Sequence, residues 1–375
     1  MRTSLRDLSR GGHPPHPLAA LAPSPPAKAG GEGWLAATTL VAYLFAASPA
    51  AALDQVTLGI TPTAQSAAAF YALDHGYFHD AGIDVKTETI VDQASTVMLV
   101  TTERVDVAEA GIAAGVFNAL ATNAPINMAL ERGGSPIYHE LLIRPNLADQ
   151  IKTVADLKGR PVAMVGPGTI LDYEMSKTLA SAGLTLKDID EKYLDFNKMG
   201  VALQNGAVDA ALEVPPFPTI VIGQGMGKHL LSTDDYVRPT PYETNAYLAN
   251  TDWIKAKPDV AKRFFVALVR GGRQYCQAYH GDQALRSEML DLLVKYKVTT
   301  NRDLLARAPW QARDPNGRFN MASILDIQDW FLKNGIITKA FPADRLVDAS
   351  FAEDAARELG PFKVTNKDSK LPGCR

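Results

Sequence analysis

Strand-like and helix-like patterns alternate from residue 55 to residue 214, and that alternation limits the possible folds more than any other feature of the chain. Gln55–Ile60 (QVTLGI) alternates β-favouring residues, and the helical pattern of Ser66–Asp74 is stopped by Gly76. Ile83–Val91, Val105–Glu109 and Ile126–Leu130 read as further strands, separated by helices at Ser95–Thr102 and Gly115–Ala121. This order predicts a mostly parallel sheet with helices on both faces. A second series follows Arg144 and Pro145. It comprises helix Val154–Leu157, strand Pro161–Val165, a Gly-Pro-Gly turn, helix Tyr173–Ala182, strand Lys192–Asp195, helix Gly200–Gln204 and strand Ala210–Val214. Thr244–Ala249 reads as an extended crossover. Beyond it, Pro258–His280, Gln283–Tyr296, Met321–Asn334 and Phe351–Leu359 are helical. The last third therefore has no sheet of its own and must pack on an earlier unit, which makes the domains discontinuous. No internal repeat of fixed period is present.

Trp34–Ala47 (WLAATTLVAYLFAA) is apolar yet too short to span a bilayer, and it matches the core of an export signal. Arg2, Arg6, Arg10 and Lys28 lie upstream, and Ala50–Ala52 offers a small-residue cleavage site. Residues 1–52 are read as a signal peptide, with the Pro-, Gly- and Ala-rich Gly11–Glu32 as an atypical N-terminal extension. Cleavage there takes away four basic and two acidic groups and moves the net charge from −3 to −5. No Cys stands at the cleavage point and no paired arginines mark a twin-Arg signal, so a soluble periplasmic protein is expected. With 46% apolar residues the chain can bury a large core. The 38 Lys and Arg against 41 Asp and Glu form no run of like charge, which excludes nucleic acid as a main partner. An oxidising compartment permits a Cys276–Cys374 bridge. Cys374 lies in what reads as a polar tail, residues 364–375, so two unpaired thiols are expected.

Five segments together resemble the substrate-binding proteins of ABC importers of the nitrate/sulfonate/taurine family, including the branch that binds thiamine precursors. They are AAAFYALDHGYFHDAGIDV (Ala67–Val85), RVDVAEAG (Arg104–Gly111), VADLKGRPVAMVGPGT (Val154–Thr169), LQNGAVDAALEVPPF (Leu203–Phe217) and KPDVAKRFFVALVRGGR (Lys257–Arg273). The resemblance runs from Gln55 to Gly360. It implies an α/β fold of the type II periplasmic-binding-protein kind, with two crossover strands joining two lobes. Lobe one would comprise 53–138 plus 246–375, and lobe two 139–245. A ligand would sit in the cleft between them, and the closed form would be offered to an ABC permease in the inner membrane.

In open α/β sheets, ligands bind beyond the carboxyl ends of strands, where helix N-termini expose free N–H groups. Four such loops are legible. Thr63 and Gln65 precede the first helix, where capping explains them as well as ligand contact does. Gly111 and Ile112 follow the third strand and let backbone approach a ligand. Gly168 and Thr169 open a helix and suit an oxyanion, although Asp172 stands in capping position. Glu213 ends a strand and can pair with an amine or aminopyrimidine, and Phe217 can cover a flat portion of the same molecule. The resemblance adds Asn245 and Tyr247 on the returning crossover, with Tyr173 from the third loop. Arg132 and Arg144 flank the first crossover and are the cations that could enter the cleft.

No G-x-S-x-G elbow and no catalytic Cys context occurs in the sequence. The yeast-type pyrimidine synthases of this fold carry a Cys-rich motif that this chain lacks. His75 and His79 have the i, i+4 spacing of metal ligands, but Gly76 between them ends the helix. The sequence thus predicts a monomeric, non-enzymatic solute-binding component of an ABC importer with no cofactor and no metal. The leading ligand class is a small organic anion, an aromatic carboxylate or sulfonate. The alternatives are a pyrimidine-precursor binding protein or a thiamine-pyrimidine-synthase-like enzyme.

Overall fold

A computed structural model describes residues 52–90, 95–298 and 300–374. The export signal read over residues 1–52 lies, up to Ala51, outside the described residues. Among the described residues, ten strands form two five-stranded sheets. They are β1 Asp54–Ile60, β2 Ile83–Thr89, β3 Val107–Gly111, β4 Ile126–Gly134, β5 Glu140–Ile143, β6 Pro161–Met164, β7 Asp190–Tyr193, β8 Ala210–Glu213, β9 Lys228–Ser232 and β10 Glu243–Asn250. The first sheet has the order β2-β1-β3-β10-β4 and the second β7-β6-β8-β5-β9.

Strand direction explains the plan. β1 runs parallel to β2 and β3, and β10 is antiparallel to both β3 and β4. In the second sheet β6 is parallel to β7 and β8, whereas β5 is antiparallel to β8 and β9. Each sheet thus holds four strands of one direction and one reversed strand. The reversed strands, β10 and β5, are those the chain enters on crossing from one sheet to the other.

The helices are α1 Ala67–Asp74, α2 Tyr77–Asp80, α3 Thr96–Thr101, α4 Ala114–Ala121, α5 Ile170–Ala180, α6 Phe196–Asn205 and α7 Phe217–Gly223, then α8 Thr251–Ala256, α9 Pro258–Tyr279, α10 Gln283–Lys295, α11 Arg302–Arg307, α12 Met321–Lys333, α13 Ala343–Leu346 and α14 Ser350–Leu359. Successive strand residues point to opposite faces, so a strand covered on both sides must be apolar throughout. In the first sheet, Val56 and Leu58 pack with Phe70 of α1 and Phe264 and Phe265 of α9, while Ala108 and Ala246 pack with Phe117 of α4 and Phe331 of α12. In the second, Val162 and Met164 meet Leu171 and Met175 of α5, and Ala163 meets Met199 and Leu203 of α6. Edge strand β2 instead exposes Asp84, Lys86, Thr87 and Thr89 along its length, which suits an uncovered edge. No helix among the described residues is long and apolar enough to cross a membrane.

Several expectations need correction. Glu140–Ile143 and Lys228–Ser232 are strands, and Phe217–Gly223 is a helix, none of which the sequence pattern announced. The third strand ends at Gly111 rather than Glu109, which moves Gly111 from a loop into the sheet. The C-terminal tail is not free. Cys276 and Cys374 form a disulfide with Cα atoms 5.1 Å apart, and Cys374 is only 1% exposed. Polar residues that suggested a loose end help dock it: Thr365 Oγ1 donates to Gln277 Oε1 at 2.9 Å and Asn366 Nδ2 to His280 O at 2.7 Å, while Tyr279 donates its hydroxyl to Pro372 O at 2.8 Å and Cys374 N–H donates to Arg313 O at 3.0 Å.

Candidate functional site

The carboxyl end of the first sheet is organised around a buried charge. Glu109 on β3 is fully buried, and its Oε2 accepts from Thr61 N–H at 3.0 Å and from Ser66 Oγ at 2.6 Å. Arg132 of β4, 2% exposed, places Nη2 3.1 Å from the same oxygen. A carboxylate so deep is tolerated only because a cation and two further donors meet it. Arg132 also donates toward Gln65 Oε1 and Thr63 Oγ1, both at 3.4 Å, and its guanidinium stands 5.9 Å from the Tyr247 ring centroid. Tyr247 OH lies 3.5 Å from Glu109 Oε1, and burial together with that neighbouring carboxylate pushes the phenol up.

From Gln65 the network continues through the Gln311 side chain, whose Nε2 donates to Thr244 Oγ1 at 2.5 Å; Asn245 Nδ2 donates to the same hydroxyl at 2.8 Å. Thr63, Gln65, Asn245 and Tyr247 are therefore brought together. Gly111 pairs with Asn245 in the β3–β10 ladder, and Ile112 N–H donates to Thr244 O at 2.9 Å, with the Ile112 side chain fully buried.

The other residues lie with the second sheet. Gly168 adopts φ +77°, a left-handed value that favours glycine, and its N–H donates to Asp172 Oδ2 at 2.6 Å. The loop's donor is thus occupied by an internal carboxylate, which burial pushes up to about 7. Thr169 donates its hydroxyl to Gly166 O, and Gly168 O accepts from Ala114 N–H at 3.1 Å, which joins this loop to the start of α4. Tyr173, read in sequence as opening its helix beside the third loop, lies inside α5, which already begins at Ile170. It is fully buried, packs edge-on to Trp330 and donates to Asp326 Oδ2 at 2.7 Å. Arg144 is held away from the strand ends by Asp209 at 2.6 Å.

Glu213, the last residue of β8, is 0% exposed, and neither carboxyl oxygen has a hydrogen-bond partner among the described residues. Burial alone pushes its carboxyl from an ordinary 4.5 up to about 8. Phe217, at the first turn of α7, stacks on Phe196 with centroids 5.4 Å apart. Among the described residues, no hydrogen bond or ring contact links Glu213 or Phe217 to the Glu109 network.

Sequence reasoning missed the Glu109–Arg132 pair and Gln311. A charged Glu inside the apolar run Val105–Ile112 was the available signal, since a strand covered on both faces carries such a residue only with a partner. His75 and His79 are both exposed; His75 is the C-cap of α1, and His79 lies within α2.

Residues 63–279 match the family model described as NMT1/THI5 like. The fold is that of the periplasmic binding proteins. It is similar to the periplasmic aliphatic sulphonate binding protein SsuA of Escherichia coli, with a TM-score of 0.65 and 19% identity over 85% of this chain and 97% of that one. The periplasmic nitrate-binding protein NrtA of Synechocystis PCC 6803 gives 0.61 and 16%, covering 86% and 92% of the two chains. A desulfurization enzyme, DSZB, gives 0.59 and 14%, covering 82% and 100%.

Proposed function

The chain belongs to the NMT1/THI5-like family, among the substrate-binding proteins of nitrate/sulfonate/taurine ABC importers, and on that premise we propose that it captures a small organic molecule in the periplasm for an ABC permease. The lobes would be 53–138 plus 246–375 and 139–245, closing over a ligand held at the carboxyl ends of the two sheets. Thr63, Gln65, Gly111, Ile112, Asn245 and Tyr247 would serve from the first sheet, and Gly168, Thr169, Tyr173, Glu213 and Phe217 from the second.

The observation that carries this reading further is Glu213, a buried carboxyl with both oxygens unpartnered. Leaving such a group unmatched costs free energy that a ligand bearing N–H donors would recover. An organic anion finds less support: Arg132 is already neutralised by Glu109, and the Gly168 N–H is already taken by Asp172. Of the two ligand classes, the geometry favours a pyrimidine precursor over an aromatic carboxylate or sulfonate. Calorimetric titration with aminopyrimidines, aromatic carboxylates and sulfonates tests this. An aminopyrimidine should bind tightest and lose at least about tenfold in Glu213→Gln, since a hydrogen bond to a charged group is worth roughly 1.5–3 kcal/mol. A sulfonate or carboxylate that binds tighter, with no change in that variant, restores the anion class. Conversion of a bound compound to product would instead place the chain with the enzymes of this fold.

A further inference from the structure

A second cluster lies beyond the outer edge of β4, where β4 and the start of β10 meet the segment 311–320. Glu131 on β4 and Glu243 at the start of β10 are 4% and 2% exposed. Each uses one oxygen to hold that segment: Glu131 Oε2 accepts from Asp314 N–H and Glu243 Oε1 from Asn320 N–H, both at 2.8 Å. The other two oxygens, Glu131 Oε1 and Glu243 Oε2, are buried and have no partner.

These free oxygens converge. A Cβ placed on Gly134 would lie 3.0 Å from Glu243 Oε2 and 3.6 Å from Glu131 Oε1. Both carboxylates line one cavity of about 290 Å³, together with Gly134, Asp314, Arg313 and Asn320. The nearby cations make their direct contacts elsewhere, although Arg313 is near enough to favour the charged form of Glu131. Arg313 donates to Gln65 O at 2.8 Å and stacks over the Tyr275 ring, and Arg273 binds Asn316 Oδ1 at 2.6 Å. Arg318, on the cavity rim, is exposed. Among the described residues no ion pair reaches Glu131 or Glu243.

We propose that this cavity binds one hard divalent cation between Glu131 Oε1 and Glu243 Oε2, with water completing its shell. No group of three or more His, Cys, Asp or Glu side chains is arranged to hold a metal among the described residues, so an all-protein cage is not at issue. Two carboxylate oxygens plus retained water is the ordinary way magnesium is held, and calcium accepts the same donors. The cavity has room, since a water occupies roughly 30 Å³. The ion would tie β4 to β10, the strands through which the chain passes between its sheets.

The test uses the chain stripped with EDTA and titrated calorimetrically with magnesium chloride or calcium chloride, with sodium chloride as the ionic-strength control. One equivalent of magnesium or calcium should bind and raise the unfolding temperature by several degrees at saturation, and sodium should not. Gly134→Ala puts a methyl group into the cradle at a residue with no left-handed φ; it and the Glu131→Gln/Glu243→Gln double variant should each weaken binding at least tenfold. Absence of divalent binding to the native chain at millimolar concentration overturns the proposal. So does binding that persists undiminished in Gly134→Ala, which would place the ion elsewhere.

Discussion

β3 and β8 occupy equivalent places and carry opposite electrostatic solutions. Each lies between a parallel neighbour, β1 or β6, and the reversed crossover strand of its sheet. Each is preceded by Val-Asp, with the Asp106 N–H on Thr57 O at 3.0 Å and the Asp209 N–H on Pro161 O at 2.8 Å. The strands diverge by one step. Glu109 stands four residues after Val105, whereas Glu213 stands five after Val208, and the pleat sends them to opposite faces. On its face Glu109 meets Thr61, Ser66 and Arg132; on the other, Glu213 meets no donor. The same backbone scaffold therefore carries one buried carboxyl completed internally and one without a hydrogen-bond partner among the described residues.

The comparison breaks most visibly through the paired side. Arg132→Met should cost about 3–5 kcal/mol in denaturant unfolding, because it strands a buried charge. A loss under about 1 kcal/mol would mean that Ser66 and Thr61 suffice for Glu109. The unpaired side should respond in the opposite sense. Glu213→Gln removes a carboxyl that must ionise on unfolding near neutrality, and should raise stability at pH 8 by about 2–4 kcal/mol. Unchanged or lower stability would show that Glu213 has a partner in solution.

The pH profile sharpens the same contrast. Glu213 is raised to about 8 and Asp172 to about 7, so between their ordinary values and these the folded state holds more protons than the unfolded chain. Their contribution is full below about pH 4 and is lost as pH rises through 7 to 8. Melting temperature should therefore decline from pH 5 to 8, less steeply in Glu213→Gln; an identical slope in that variant would remove Glu213 as the cause. The smallest effect belongs to Tyr247→Phe. With its hydroxyl at 3.5 Å from Glu109, the loss should stay below about 1 kcal/mol by thermal melting, and a larger one would make that contact a full hydrogen bond.

Element order was legible because it rests on local periodicity: α9 was read as Pro258–His280 and forms over Pro258–Tyr279. β9 escaped because Lys-His-Leu-Leu-Ser opens on two exposed polar residues at a sheet edge and never alternates. The four strand-end loops were legible from turn chemistry, but what fills them was not. Whether Glu109 is free or paired depends on Arg132, which is far from it in the chain yet adjacent through β10, and no local pattern encodes that pairing. Cys374 was misjudged for the same reason: Thr365 and Asn366 of its tail look solvated until Gln277 of α9 and His280 just beyond it supply partners.

The position of β10 also sets a schedule for synthesis. All five strands of the second sheet lie between Glu140 and Ser232 and are complete before Glu243 is made. The first sheet has a gap between β3 and β4 until β10 arrives to fill it, long after its other strands have left the ribosome. The inner, later-starting sheet can therefore finish ahead of the outer one. A chain that ends between Ser232 and Glu243 keeps the whole second sheet but lacks the strand carrying Asn245 and Tyr247, so truncation from the C-terminus should abolish capture well before it abolishes folding of that sheet.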